Sequence, residues 1–98
     1  MAQFTRKIGM NKGKVRLWLE GAILNTNGFP HGMRFDVETS GTTMTITANV
    51  NGKRKISGSK GREIIDMSAS TITGPFPTAK KGDVMQIFTL PGVLIITR

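Results

Sequence analysis

The stretch Gly28 to Thr47, GFPHGMRFDVETSGTTMTIT, decides the fold, and Gly74 to Thr97, GPFPTAKKGDVMQIFTLPGVLIIT, repeats its logic. In each, a Phe beside a Pro leads to a Gly. Apolar residues then alternate with polar ones, a Gly-containing turn follows, and a second strand ends in Ile-Thr. From Gly32 and Gly82 onward the two align without a gap at an offset of fifty residues. Phe35 falls on Met85, Val37 on Ile87, Met44 on Leu94, Ile46 on Ile96 and Thr47 on Thr97. Alternation with a period of two marks strands with one buried face. An internal repeat sets the architecture before any single element does. The chain therefore reads as one small, mostly β unit made of two copies of one motif.

Ahead of the first hairpin, Lys14 to Glu20 (KVRLWLE) alternates Val15, Leu17 and Leu19 with Arg16, Trp18 and Glu20, a strand pattern that turns Trp18 away from the core. Trp18 then either covers a partner element or serves as a base-stacking or interface aromatic. Gly21 to Asn27 predicts a short helical turn with Ile23 and Leu24 inward, ended by Gly28 as a C′ glycine. Phe29 re-enters the core, and Pro30-His31-Gly32 is a turn. Met33 to Glu38 and Thr42 to Ala48 form the hairpin, with Ser40-Gly41 between them. In the second copy, Glu63 to Met67 places Ile65 and Met67 inward, and Asp66 or Ser68 is the expected N-cap of a helix over Ala69 to Ile72. Val84 to Thr89 and Val93 to Thr97 form its hairpin around the Pro91-Gly92 turn, with Val93 to Thr97 expected as the most buried strand.

These boundaries divide a single domain over residues 1–98 into a basic arm (1–13), repeat 1 (14–48), a basic linker (49–62) and repeat 2 (63–98). The arm is expected to be loose, with Phe4, Ile8 and Met10 as points that anchor parts of it. The linker holds only Val50 and Ile56 as apolar residues. It is expected either as a flexible connection or as a basic two-stranded extension with Lys53 to Ser57 as one limb. Half-sized motifs bury too little surface to stand alone, so the copies are expected to share one core.

The net charge is +8, and its placement matters more than its size. Residues 1–16 carry Arg6, Lys7, Lys12, Lys14 and Arg16 and no acid, and residues 51–62 carry Lys53, Arg54, Lys55, Lys60 and Arg62 and no acid. The remainder has four cations against six acids. The positive charge thus sits on the lead-in to each copy, which favours a polyanion as partner. There is no cysteine and one histidine, which excludes disulfides, thiolate metal sites and any multi-His site within one chain. No cofactor is expected. No apolar run approaches the roughly 18 residues of a membrane span. The N-terminal stretch lacks the apolar core of a signal peptide, so a cytoplasmic location is expected.

The order strand, short helix, Gly-Phe-x-x-Gly, strand, Gly turn, strand resembles the swapped-hairpin domain of the AbrB/MazE superfamily. Leu17-Trp18-Leu19-Glu20-Gly21, followed by Gly28-Phe29 and Gly32-x-x-Phe35-Asp36-Val37, looks like its SymE-like branch. The resemblance covers residues 14–48 and, less closely, 63–97. It implies a swapped-hairpin β-barrel, formed here by two internal repeats in one chain as a pseudo-dimer, since that superfamily normally interlaces two chains. It also implies DNA-binding regulation or an antitoxin-type role, or, in the SymE-like branch, a toxin associated with RNA cleavage or nucleoid binding. The extra residues before Gly82 and the basic linker depart from that pattern, so particular DNA-contacting positions do not carry over.

The residues themselves give little sign of an enzyme. Lys12-Gly13 and Lys60-Gly61 are turns without the spacing of a phosphate loop. Asp36 and Glu38 share one strand face, as a metal-binding pair or as a solvated face. His31 has no acid near it in sequence, and no Ser, His and acid grouping follows from spacing. In a SymE-like nuclease, His31 with Asp36 or Glu38 would carry the chemistry. The expected function is a small nucleic-acid-binding protein, with duplex DNA as partner, that grips phosphates through the ten cations of the two lead-ins and works as a monomeric pseudo-dimer or a homodimer. The alternatives are the RNA-directed toxin and a phage-type accessory or inhibitor protein whose basic segments hold an acidic protein surface.

Overall fold

Two antiparallel ladders carry the fold, and each joins the first half of the chain to the second. The computed structural model describes residues 2–98. Its elements run β1 (Ala2–Lys7), β2 (Gly9–Asn11), β3 (Lys14–Glu20), α1 (Ala22–Asn25), β4 (Arg34–Ser40), β5 (Thr43–Ala48), β6 (Arg54–Lys55), β7 (Ser57–Ser59), β8 (Arg62–Met67), α2 (Ala69–Ile72), β9 (Val84–Leu90) and β10 (Val93–Thr97). One sheet has the order β1-β9-β10-β5-β4-β6, the other β2-β3-β8-β7. The protein is mostly β, as the alternating patterns require. Among the described residues the ladders form two sheets rather than one closed barrel, which corrects that part of the expectation.

In the four-stranded sheet, Leu17 opposes Met67, Trp18 opposes Asp66 and Leu19 opposes Ile65. Positions 17 and 65, 18 and 66, and 19 and 67 are each forty-eight apart. The ladder therefore reads the same from either strand, and Trp18 and Asp66 face each other at its centre. The six-stranded sheet has the same property. Ile46 opposes Leu94 and Met44 opposes Ile96, symmetric about Thr45 and Ile95 at the offset of fifty. The opening strand of each half pairs with the hairpin of the other half, β1 with β9 and β6 with β4.

The inward residues of both sheets and both helices meet in one core. Leu17, Leu19, Leu24, Phe29, Met44, Ile46, Met67, Ile72, Met85, Ile87, Leu94 and Ile96 are all buried. Each such side chain contributes about 1.5–3 kcal/mol of transfer free energy relative to exposure. β10 has no exposed residue, which fits its run of apolar side chains and its central position. Glycine is required where the first helix meets the last hairpin. A Cβ on Gly28 (φ +92°) would lie 2.6 Å from the Gly92 nitrogen. Nearby, the Gly92 N–H donates to the Asn27 carbonyl at 2.8 Å.

Two expectations about the lead-ins are corrected. The arm is two strands rather than a loose segment. β1 pairs with β9 along its length, Ile8 is buried, and the Ile8 N–H donates to the Asp83 carbonyl at 2.7 Å. Met10 stays exposed and anchors nothing. The linker is the opening of the second half. Ile56 is buried and its N–H donates to the Met33 carbonyl at 2.9 Å, while Val50 lies in solvent. Of the two expected helix caps, Ser68 takes the position, without the expected side-chain bond, and Asp66 is engaged elsewhere.

Candidate nucleic-acid interface

Arg6-Lys7-Ile8 and Arg54-Lys55-Ile56 are the same three residues, and Lys12-Gly13-Lys14 is matched by Lys60-Gly61-Arg62. All of these matches share the spacing of forty-eight. Each Ile is buried, which fixes the preceding Arg and Lys at the end of an edge strand. Each Lys-Gly is a hairpin tip. Lys12 and Gly13 both have positive φ (53° and 78°), as a tight two-residue hairpin turn demands, and Gly61 has φ 88°. Eight of the ten predicted cations thus form four equivalent pairs. Arg16 and Lys53 stand outside this scheme, because their counterparts are Ile64 and Thr5.

The four-stranded sheet buries Leu17 and Leu19 of β3, and Glu63, Ile65 and Met67 of β8. Its other face therefore carries Lys14, Arg16, Trp18 and Glu20 beside Arg62, Ile64 and Asp66. Because β3 and β8 run antiparallel, Lys14 and Arg62 sit at opposite ends. At roughly 3.3 Å per residue they are about 25 Å apart along the strands. The two Lys-Gly tips extend beyond them.

At the centre of this face the side chains are tied together. The Arg16 guanidinium donates from Nε and Nη2 to the two carboxylate oxygens of Asp66, at 3.3 and 3.0 Å. Its central carbon lies 4.5 Å from the Trp18 ring centroid, in cation–π contact. The Trp18 Nε1–H donates to Glu20 Oε1 at 2.8 Å, and Arg62 Nε donates to Glu20 Oε2 at 3.0 Å. The indole hydrogen bond first, and Arg62 second, hold the Glu20 carboxyl below its usual pKa. Two predicted phosphate ligands, Arg16 and Arg62, are therefore already paired with acids. Lys7, Lys12, Lys14, Lys53, Lys55 and Lys60 form no ion pair among the described residues.

The remaining two arginines are less available than expected. Arg54 Nη2 donates to the Thr71 hydroxyl at 3.0 Å, which docks β6 against α2. Arg6 lies 5.9 Å from the Phe4 ring centroid and donates to the Thr5 carbonyl at 2.7 Å. The interface cations are thus chiefly the lysines at the edges and tips. Next to the central network is an open cleft of about 310 Å³ lined by Lys7, Gly9, Met10, Arg16 and Trp18.

The acidic candidates have structural work. Asp36 accepts from Asn49 Nδ2 at 2.8 Å and from the Lys53 N–H at 3.0 Å, and the Lys53 backbone bond above all keeps its pKa low. Its carboxylate holds the turn that leads into β6. Glu63 is buried beside the tip of the second hairpin. It accepts from Asn25 Nδ2 at 2.8 Å and from the Gly61 N–H at 3.0 Å, and its pKa is lowered, by the Asn25 bond first. His31 is exposed in its turn. Among the described residues no group of three or more His, Cys, Asp or Glu side chains comes together to hold a metal. No helix among the described residues is long and apolar enough to cross a membrane.

The cation pairing escapes a search for the hairpin repeat, because the hairpins align at fifty and the lead-ins at forty-eight. A search at the second spacing finds Arg-Lys-Ile-x-x-x-Lys-Gly followed by Lys or Arg in both halves. No protein-family profile matches the chain, and neither a curated protein nor a solved structure shows significant similarity to it.

Proposed function

We propose that the protein is a small cytoplasmic nucleic-acid-binding module, of DNA-binding regulator or antitoxin type, that grips the backbone of duplex DNA with the outer face and tips of its four-stranded sheet. The observation that carries this reading is the recurrence of four cation pairs at equivalent places in the two halves, two on the edge strands β1 and β6 and two on the antiparallel hairpins. Lys12 and Lys14 stand at one end of that face and Lys60 and Arg62 at the other, while Lys7 and Lys55 stand on the adjoining edge strands β1 and β6. The spacing of about 25 Å between the ends is shorter than one turn of duplex DNA, about 34 Å, so both ends reach one duplex without bending it. Phosphate contacts of this kind act as point charges and release counterions, so affinity falls steeply with salt.

The same pairing supports the resemblance to the AbrB/MazE swapped-hairpin superfamily. Each half lends its opening strand to the hairpin of the other half. A single chain would then do what two chains do in that superfamily, and its solution mass would be that of one chain or a weakly paired dimer.

The test is a salt titration of binding to a short duplex, beside single-stranded RNA and an acidic protein. Steep salt dependence on the duplex is expected. The variant Lys12→Glu/Lys60→Glu should lower the slope by about 2, one for each phosphate that the tips no longer hold. Cleavage of the RNA would instead favour the SymE-like toxin reading. Binding to the protein alone would favour the accessory-protein reading. Absence of duplex binding at low salt would remove the proposal.

A further inference from the structure

This inference rests on the nucleic-acid reading above and assigns one part of that surface. We propose that the cleft between β2 and β3 binds one unpaired nucleobase, stacked on Trp18, with the adjoining phosphate on Lys7. The platform is tied by hydrogen bonds on both sides of the ring. Arg16 lies against the indole ring and is itself held by two bonds to Asp66, while the indole N–H is held by Glu20. Trp18 nevertheless remains 38% exposed, and Met10, at 46%, lines the same cleft. A planar apolar surface kept in one orientation beside a cation suits a base and its phosphate. The volume of about 310 Å³ lies at the lower end of small-molecule sites, about 300–1,000 Å³.

Gly9 supports the assignment. It sits opposite Arg16 in the β2–β3 ladder and lines the cleft. Its φ is not among the positive values of the chain, and an added Cβ would meet only Arg16, at 3.8 and 3.9 Å. The backbone does not demand glycine there, and a side chain would occupy the cleft.

The second half lacks this site. Ser57, Ile64 and Asp66 stand where Gly9, Arg16 and Trp18 stand in the first. One chain therefore takes one base, and the surface that repeats its lysines twice has a single stacking position. A base inside a duplex is stacked on both faces and cannot offer one to Trp18, so the bound strand must be unpaired at this point. An acidic peptide would satisfy Lys7 and leave the indole face unused.

Trp18 is the sole tryptophan, so its fluorescence reports on this cleft alone. The probes are a short oligothymidylate, an abasic oligonucleotide of the same length and a blunt duplex. The oligothymidylate is expected to quench Trp18 and to bind about tenfold more tightly than the abasic strand. Gly9→Leu should abolish that advantage and leave duplex affinity unchanged, and unchanged duplex binding also shows that the variant is folded. Trp18→Leu, read by anisotropy of labelled strands, should abolish the advantage of the base-bearing strand over the abasic strand as well. Equal affinity of the base-bearing and abasic strands, or an undiminished advantage in both variants, overturns the assignment. If salt-dependent duplex binding persists in that case, only the base site fails. If no strand and no duplex binds at low salt, the nucleic-acid reading fails with it.

Discussion

The hairpin β2–β3 and the hairpin β7–β8 have one design and different surfaces. Both follow a buried isoleucine, both turn on Lys-Gly, and both send alternate residues of their second strand into the shared core. The first presents Arg16 and Trp18 on its outer face, and the second presents Ile64 and Asp66. The first carries Met10 in its edge strand, where the second carries Gly58 at φ +85°. What is kept is what the fold and the phosphate contacts need: the apolar alternation, the turn glycines and the tip lysines. What differs lies in the edge strands and at the centre of the face; at the centre the two hairpins meet. There a repeated chain can set two different residues face to face at one equivalent position, Trp18 and Asp66, which two identical chains cannot do.

The most damaging way to probe this likeness is to cut into the shared ladder. Leu17 and Ile65 occupy equivalent buried positions, so Leu17→Ala and Ile65→Ala should each cost about 3 kcal/mol, within the usual range for such truncations. Thermal or urea unfolding checks this, and a difference of more than about 1.5 kcal/mol between the two would break the equivalence. The next probe targets the difference at the edge. A Cβ on Gly58 would lie 2.2 Å from the Arg62 carbonyl oxygen at a φ that side chains rarely adopt. Gly58→Ala should cost about 2–3 kcal/mol, whereas Met10→Gly at the matching position should cost about 1 kcal/mol or less. Equal costs would mean that the two edges do not differ in backbone strain.

A smaller effect appears in acid. Glu63 has no counterpart in the first half, where Val15 holds its place, and its buried carboxylate ties the second hairpin to α1 through Asn25. Its pKa is lowered in the folded chain, as are those of Glu20 and Asp36. A carboxyl with a depressed folded pKa favours the folded state above its unfolded pKa, about 4.3 for Glu, and loses that contribution as pH falls through the lower folded value. The melting temperature should therefore drop on acidification below about pH 5. Glu63→Gln should start lower at neutral pH and fall less, since Gln does not titrate. An identical acid profile in the variant would show that Glu63 contributes nothing to that loss.

Much of this is legible in the sequence, and the parts that are not share one cause. Period-two alternation locates both hairpins, the inward faces of β3 and β8, and the central β10, because burial on one face leaves a direct trace in residue order. The lead-ins read as an arm and a linker because β1, β6 and β7 are edge strands. An edge strand is half solvated, carries polar and charged residues on its open side and leaves little apolar signal. Only Ile8 and Ile56 mark them, and their equivalence is hidden by the change of spacing from forty-eight to fifty across the helix and its turns. The ion pairs Arg16–Asp66 and Arg62–Glu20 are equally hidden, since they join residues 50 and 42 positions apart. The charge count places the cations correctly by segment, but only the register shows which of them the acids already hold.

The smallest effect on stability is expected at the centre of the face. Asp66→Asn removes the acid opposite Trp18 and leaves its shape. The Arg16 and Asp66 side chains are 25% and 45% exposed, so their pairing is partly screened and its loss should cost less than about 1 kcal/mol. The functional consequence has the opposite sign. Asp66 neutralises one of the cations at the middle of the proposed interface, and its removal frees Arg16 to meet a phosphate. Duplex affinity at low salt should then rise, with the salt slope increasing by about 1. Asp66→Asn would thus be nearly silent in a melting curve and visible in a titration. The second hairpin's acid would then set how strongly the first hairpin's arginine binds. A variant that melts normally and binds with an unchanged slope would show instead that Arg16 stays stacked on Trp18 with or without its acid, and that the lysines alone carry the phosphate contacts.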